Sequence, residues 1–126
     1  MNMEFYYDWK KAKEGIINDQ AKRYENEVEN QEKLQRLTKE YDLIEAAFDQ
    51  LSDEQKEMLK NVPRTKEDWE TFNEIGDDLN EKLEKLEELW VEIDRVADAL
   101  PFDSEQLEKR FKQIAAELAQ KYHLNN

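Results

Sequence analysis

The chain has 126 residues, 40% of them charged and 38% apolar, with a formal net charge of −13, two glycines, two prolines and no cysteine. Without cysteine there is no disulfide, thiolate metal site or thiol nucleophile. So much negative charge also opposes direct binding to nucleic acid phosphates or anionic lipid. The sparse turn residues and the absence of apolar alternation at period two exclude a sheet protein. Thirteen aromatic residues and the regular spacing of the apolar ones argue against disorder.

Taken in order, the pattern predicts one all-α domain over 1–126, an antiparallel three- to four-helix bundle with long coiled-coil-like helices. A short first helix is expected over 3–14, with Phe5, Trp9 and Ala12 on one face and Tyr6 and Tyr7 beside it. Gly15 weakens that helix, and Ile17, Ala21, Tyr24 and Val28 restart a helical spacing. A long helix follows over about 17–51, its seam carried by Leu34, Leu37, Tyr41, Ile44, Phe48 and Leu51. The S-x-x-Q pattern Ser52–Gln55 resembles a capping box, so a short extension over 53–62 either restarts or kinks the helix before Pro63 ends it.

The central helix, 66–100, opens on the capping signal Thr65–Asp68 and carries the strongest periodicity in the chain. Trp69, Phe72, Gly76, Leu79, Leu83, Leu86, Trp90, Ile93, Ala97 and Leu100 alternate in steps of three and four, an a/d heptad seam. Ile75, Leu89 and Val96 on the adjoining g positions widen it. Pro101 closes this helix, Asp103–Gln106 caps a last one over 104–122, and Leu107, Phe111, Ile114, Leu118 and Tyr122 form its apolar face. Short connections imply antiparallel neighbours. Folding about 62–65 sets Leu51 near Gly76 and Tyr41 near Leu86. Folding about 101–104 sets Phe111 near Ile93 and Ile114 near Trp90. Trp90 is thus expected to be buried where three helices meet, and Gly76 to admit a close neighbour.

Along the other side of the central helix runs an acidic line: Glu67, Glu70, Glu74, Asp77, Glu81, Glu84 and Glu88, with Asp78 beside it. Its i,i+4 neighbours are mostly like-charged, which costs stability, whereas Glu105–Lys109, Glu108–Lys112 and Glu117–Lys121 in the last helix are in the favourable order. At about 1.5 Å per residue the line spans roughly 32 Å. Its charges fall about 5–6 Å apart, comparable to phosphates along a nucleic acid strand. The whole charge excess sits in the middle of the sequence, −6 over 25–61 and −8 over 62–101.

No enzyme motif is present. His123 is the sole histidine and reads as a surface or C-terminal capping residue. No Glu-x-x-His pair, glycine-rich phosphate loop or calcium-binding loop occurs, so no catalytic residue, metal or cofactor is expected. No apolar run reaches membrane-spanning length and the N-terminus lacks a secretory pattern, so a cytoplasmic location with no membrane contact is expected.

These readings converge on a binding protein. The eight acids Glu67, Glu70, Glu74, Asp77, Asp78, Glu81, Glu84 and Glu88 are the expected contact surface for a basic, nucleic-acid-handling protein. The chain would occlude that protein as a nucleic-acid mimic, in the manner of a phage anti-defence or anti-CRISPR protein. Phe5, Tyr6, Tyr7 and Trp9 read first as core and second as an alternative contact patch. The competing expectations are a structural or assembly coiled coil (an adaptor or phage scaffold) and a toxin-neutralising immunity protein. A monomer is expected, with a seam-shared dimer as its alternative.

Overall fold

The computed structural model describes residues 3–123, which form four helices: α1 (Met3–Glu25), α2 (Glu27–Lys60), α3 (Lys66–Asp98) and α4 (Ser104–Lys121). The fold is all-α, and no strand occurs among the described residues. The helices pack in pairs, α2 on α3 and α1 on α4. Two compact units result. Gln31–Asp98 forms one, and residues 3–30 together with 99–123 form the other.

The Gln31–Asp98 unit is an antiparallel helical hairpin. Lys33 Nζ meets Glu92 Oε1 at 3.2 Å near its open end, and the rings of Tyr41 and Trp90 lie 6.0 Å apart further along. At the closed end Gln55 approaches Gly76. The turn over 61–65 buries Pro63, and Thr65 Oγ1 accepts from the Asp68 amide at 3.1 Å. That bond satisfies one of the free N–H groups at the start of α3.

α2 runs unbroken through Ser52–Gln55, which therefore neither restarts nor caps a helix. The reason lies in the seam, because Gln55 and Met58 continue the steps of Leu34, Leu37, Tyr41, Ile44, Phe48 and Leu51 in phase, all of them half-buried.

α3 packs on α2 through a different pair of rows from those expected. Leu86, Leu89 and Val96 are buried at 7, 5 and 3% exposure, while Trp69, Leu83 and Trp90 stand 40, 45 and 56% exposed. The buried stripe is thus d with g, and the a row faces outward. A pair of helices closes only a narrow stripe, at interaxial distances of about 8–10 Å. The branched and linear side chains at g fit it better than two tryptophans do. Trp90, expected to be buried, is therefore exposed. It rests against Tyr41 at the edge of the hairpin.

In the other unit α1 and α4 are antiparallel. Near the start of α1 the Tyr122 hydroxyl donates to Asp8, Lys121 Nζ lies 3.3 Å from the same carboxylate, and Phe5 meets the Tyr122 ring edge-on at 6.1 Å. Towards its end Gln20 makes two 2.8 Å bonds, donating from Nε2 to the Phe102 carbonyl and accepting from the Phe102 amide. Arg23 donates to the Leu100 carbonyl at 3.0 Å and stacks 3.9 Å over the Phe102 ring, which Arg110 also covers at 4.7 Å. The partner of α4 is thus α1, where the sequence pairing had set α4 on the central helix.

These contacts explain why α1 does not stop near Gly15 at 14. Phe5, Trp9, Ala12, the buried Ile16, Gln20 and Arg23 form one uninterrupted inward stripe. Ile17, Tyr24 and Val28 point outward at 56, 58 and 69% exposure. The interruption comes at Asn26, whose side-chain amide donates to the Lys22 carbonyl at 3.1 Å and satisfies a helix-terminal acceptor. α4 carries the expected capping box in full, with Asp103 and Gln106 bonded reciprocally. His123, at φ 55°, takes the left-handed position after the helix, with its N–H on the Gln120 carbonyl.

The burial pattern orders the effects of truncation. Leu86→Ala and Leu89→Ala should each cost about 2–5 kcal/mol, against about 1–2 kcal/mol for Trp90→Ala, since only the buried half of that side chain loses contacts. Denaturant unfolding of the three variants checks the order, and a Trp90 variant as damaged as the leucine variants would contradict it. A Cβ at Gly76 would meet only the flexible Gln55 side chain, at an ordinary 3.5 Å. No close helix approach requires glycine there. Gly76→Ala should therefore raise stability by about 0.5–1 kcal/mol, measured by the same unfolding curves.

Candidate functional site

The acidic line follows from the rotated seam. With d and g turned to α2, the f and b rows point away, and these hold Glu67, Glu70, Glu74, Asp77, Glu81, Glu84 and Glu88. All seven are exposed, as is Asp78. Among the described residues none of the eight makes an ion pair, although Lys85 follows Glu81 by four residues on the same helix. The structure therefore brings all eight to one continuous carboxylate surface on a single helix.

α4 behaves in the opposite way. Lys109 and Lys112 pair with Glu105 and Glu108 at 3.9 and 2.8 Å. The third expected pair is replaced, because Lys121 turns to Asp8 and Glu117 accepts from Gln113 at 3.3 Å. The Tyr122 hydroxyl bond, followed by that to Lys121, holds the Asp8 carboxyl below its usual range. The charge is partitioned with the fold. Gln31–Asp98 carries twenty-one acidic and ten basic residues, net −11, and the remainder carries eleven and nine, net −2.

Two features of the hairpin were not singled out in the sequence. Near its closed end an open groove of about 860 Å³ is lined by Met58 and Ile75 together with the carboxylates Asp49, Asp53, Glu54 and Glu57. Asp49, Asp53 and Glu57 are like charges at i,i+4, the same mark that singles out α3, so the sequence did hold a signal for them. The second feature is a groove of about 310 Å³ lined by Tyr41, Leu83, Leu86, Glu87, Trp90 and Val91. Only the rotation of the seam exposes it.

The N-terminal aromatic set divides. Phe5 and Trp9 are half-buried, Phe5 against Tyr122 and Trp9 beneath Lys13 Nζ, which lies 5.5 Å from its ring. Tyr6 and Tyr7 are exposed and stack edge to face at 6.1 Å. The four residues form no single surface.

Among the described residues no cluster of three or more histidine, aspartate or glutamate side chains is placed to hold a metal ion. None of the described helices is long and apolar enough to cross a membrane.

Glu92, also on α3, lies outside the acidic row and is paired. Glu92 accepts from Arg95, with Nε at 3.1 Å, and from Lys33 across the hairpin, and these bonds hold its pKa at about 2 against an ordinary 4.5. A depressed carboxylate stabilises the fold above its unfolded value and loses that contribution as pH falls through its folded value. Wild type should therefore melt above Glu92→Gln at neutral pH, with the difference closing between about pH 4.5 and about pH 2. A melting difference that does not change across that window would mean that the Arg95 and Lys33 bonds to Glu92 together contribute nothing to stability.

Comparison with protein-family models, with curated proteins and with solved structures finds no match for this chain.

Proposed function

We propose that this protein is a binding inhibitor, not an enzyme, whose acidic hairpin occludes a basic surface on a nucleic-acid-handling protein. The observation that carries the reading is the row of eight exposed carboxylates on α3 with no ion-pair partner among the described residues. α4 shows that the same chain pairs its surface charges elsewhere. Like charges at i,i+4 cost about 0.2–0.5 kcal/mol per pair, a cost that a partner's lysines and arginines would convert into attraction. The mechanism is steric and electrostatic. A field from −11 charges on one hairpin steers a basic partner into encounter, and the carboxylate row then takes the places of phosphates. Phage anti-defence proteins of the anti-CRISPR kind would act in this way, from the cytoplasm and as a monomer.

The exposed a row, Trp69, Leu83 and Trp90, favours one other reading, an assembly protein pairing through that row. Sedimentation separates the two. A stable dimer or larger species at micromolar concentration supports assembly, and a monomer supports the inhibitor.

Reversal of Glu70, Glu74, Asp77, Glu81 and Glu84 to lysine should abolish capture of the partner from extracts of cells that express the protein. The fold should survive, because these side chains touch no core. Capture by wild type should weaken with added salt, since screening acts over about 8 Å at physiological ionic strength, and excess duplex DNA should release the captured protein. Reversal of Glu105 and Glu108 is the control, expected to lower the melting temperature and leave capture intact. Capture indifferent to charge reversal, salt and DNA would refute the mimic reading.

A further inference from the structure

We propose that the groove between Tyr41 and Trp90 is the anchoring site for a basic amphipathic helix of the partner protein. The proposal rests on the function above for the partner's basic character, and on a separate observation for the site. Leu83, Trp90 and Val91 stand 45, 56 and 67% exposed along one groove, with Tyr41 opposite Trp90. Tryptophan and tyrosine are the residues most enriched at interface hot spots, and here they stand beside open aliphatic side chains.

The spacing points to a helix. Leu83 and Trp90 are successive a positions, and Tyr41 belongs to the α2 seam that steps in threes and fours. Two antiparallel helices with a vacant row offer holes at heptad spacing, which side chains of a third helix at i, i+3, i+4 and i+7 fill. A strand projects its side chains at period two and cannot follow that row.

The charge points to lysine or arginine on the flanks of that helix. Glu87 lines the groove itself, and Glu84 and Asp94 are exposed on the same helix within one turn of it. About the axis of α3, at 3.6 residues per turn, the a row falls between the buried d/g stripe and the b/f rows of acids. One helix seated on Leu83 and Trp90 therefore has carboxylates beside it along its length. A second copy of this chain is disfavoured as the occupant, because it would bring a second hairpin of net −11 against the first.

The test is calorimetric titration of the full chain with a synthetic helical peptide of leucine and lysine, its leucines on one face. A scrambled peptide of the same composition and a patterned leucine–glutamine peptide are the comparisons. One-to-one binding is expected, and each comparison peptide should bind at least about tenfold more weakly. Trp90→Ala and Val91→Lys should each weaken the patterned basic peptide by a similar factor, with circular dichroism confirming that both variants remain folded. Equal binding of the patterned and scrambled peptides, or of the basic and neutral ones, would overturn the proposal. A self-dimer dissolved by Trp90→Ala would also overturn it, in favour of the second copy. If Trp90→Ala and Val91→Lys leave peptide binding intact while reversal of Glu70 to Glu84 abolishes it, the groove is excluded and the acidic-face reading stands. If the groove variants lose peptide binding while partner capture ignores the reversal, the groove stands and the mimicry fails.

Discussion

The hairpin depends on which two rows of α3 meet α2. A helix with apolar residues at a, d and g cannot bury all three rows against one neighbour, so one row must stay out. Burial of Leu86, Leu89 and Val96 selects d and g, and the remaining surface follows from that choice. The a row becomes an open aromatic strip, and the acids at b and f turn directly away from α2. Lys82, the polar g position between Ile75 and Leu89, is half-buried, which a long side chain tolerates by laying its stem along the seam and keeping its ammonium in water. Had a and d been buried instead, Trp90 would be core and the aliphatic g row, Ile75, Leu89 and Val96, would stand open in place of the aromatic strip.

The charge distribution and the division into units describe the same asymmetry. The α1/α4 unit is nearly neutral and is tied together by directional polar contacts: Gln20 on the Phe102 backbone, Arg23 on Leu100, and Tyr122 with Lys121 on Asp8. The hairpin carries the excess of negative charge and, among the described residues, leaves the eight acids from Glu67 to Glu88 on its outward row without an ion pair. Electrostatic self-repulsion on that scale destabilises a compact state. Its concentration on the outward face of one helix, instead of across both pairs, is what gives the acidic row a claim to function.

Much of this fold is legible in the sequence, and the parts that are not share a cause. Heptad steps locate α2 and α3, Pro63 and Pro101 mark the turns, and the Asp103 cap with its Gln106 partner is readable to the residue. Apolar periodicity is blind where polar side chains do the packing. The second half of α1 faces inward through Asp19, Gln20 and Arg23, so the eye follows Ile17, Tyr24 and Val28 onto the wrong face and stops the helix at Gly15. The same blindness hides the partner of α4. The rotation of α3 is illegible for a different reason, since three adjoining apolar rows are nearly degenerate until the number of neighbouring helices is known. The acidic surface was legible because like charges at i,i+4 need no tertiary context to be noticed, and the Tyr41–Trp90 groove was not, because it exists only once the seam has rotated.

The absence of cysteine from the chain allows a direct measurement of that rotation. Single cysteines at Leu83, Trp90, Leu89 and Val96, introduced one at a time into the intact protein, would be labelled with a thiol reagent under native conditions. Labelling at 83 and 90 should approach the rate of the unfolded chain, and labelling at 89 and 96 should be slower by orders of magnitude and limited by opening of the hairpin. Protection at 83 and 90 with fast labelling at 89 and 96 would show that a and d are the buried rows. It would remove the aromatic groove and return Trp90 to the core.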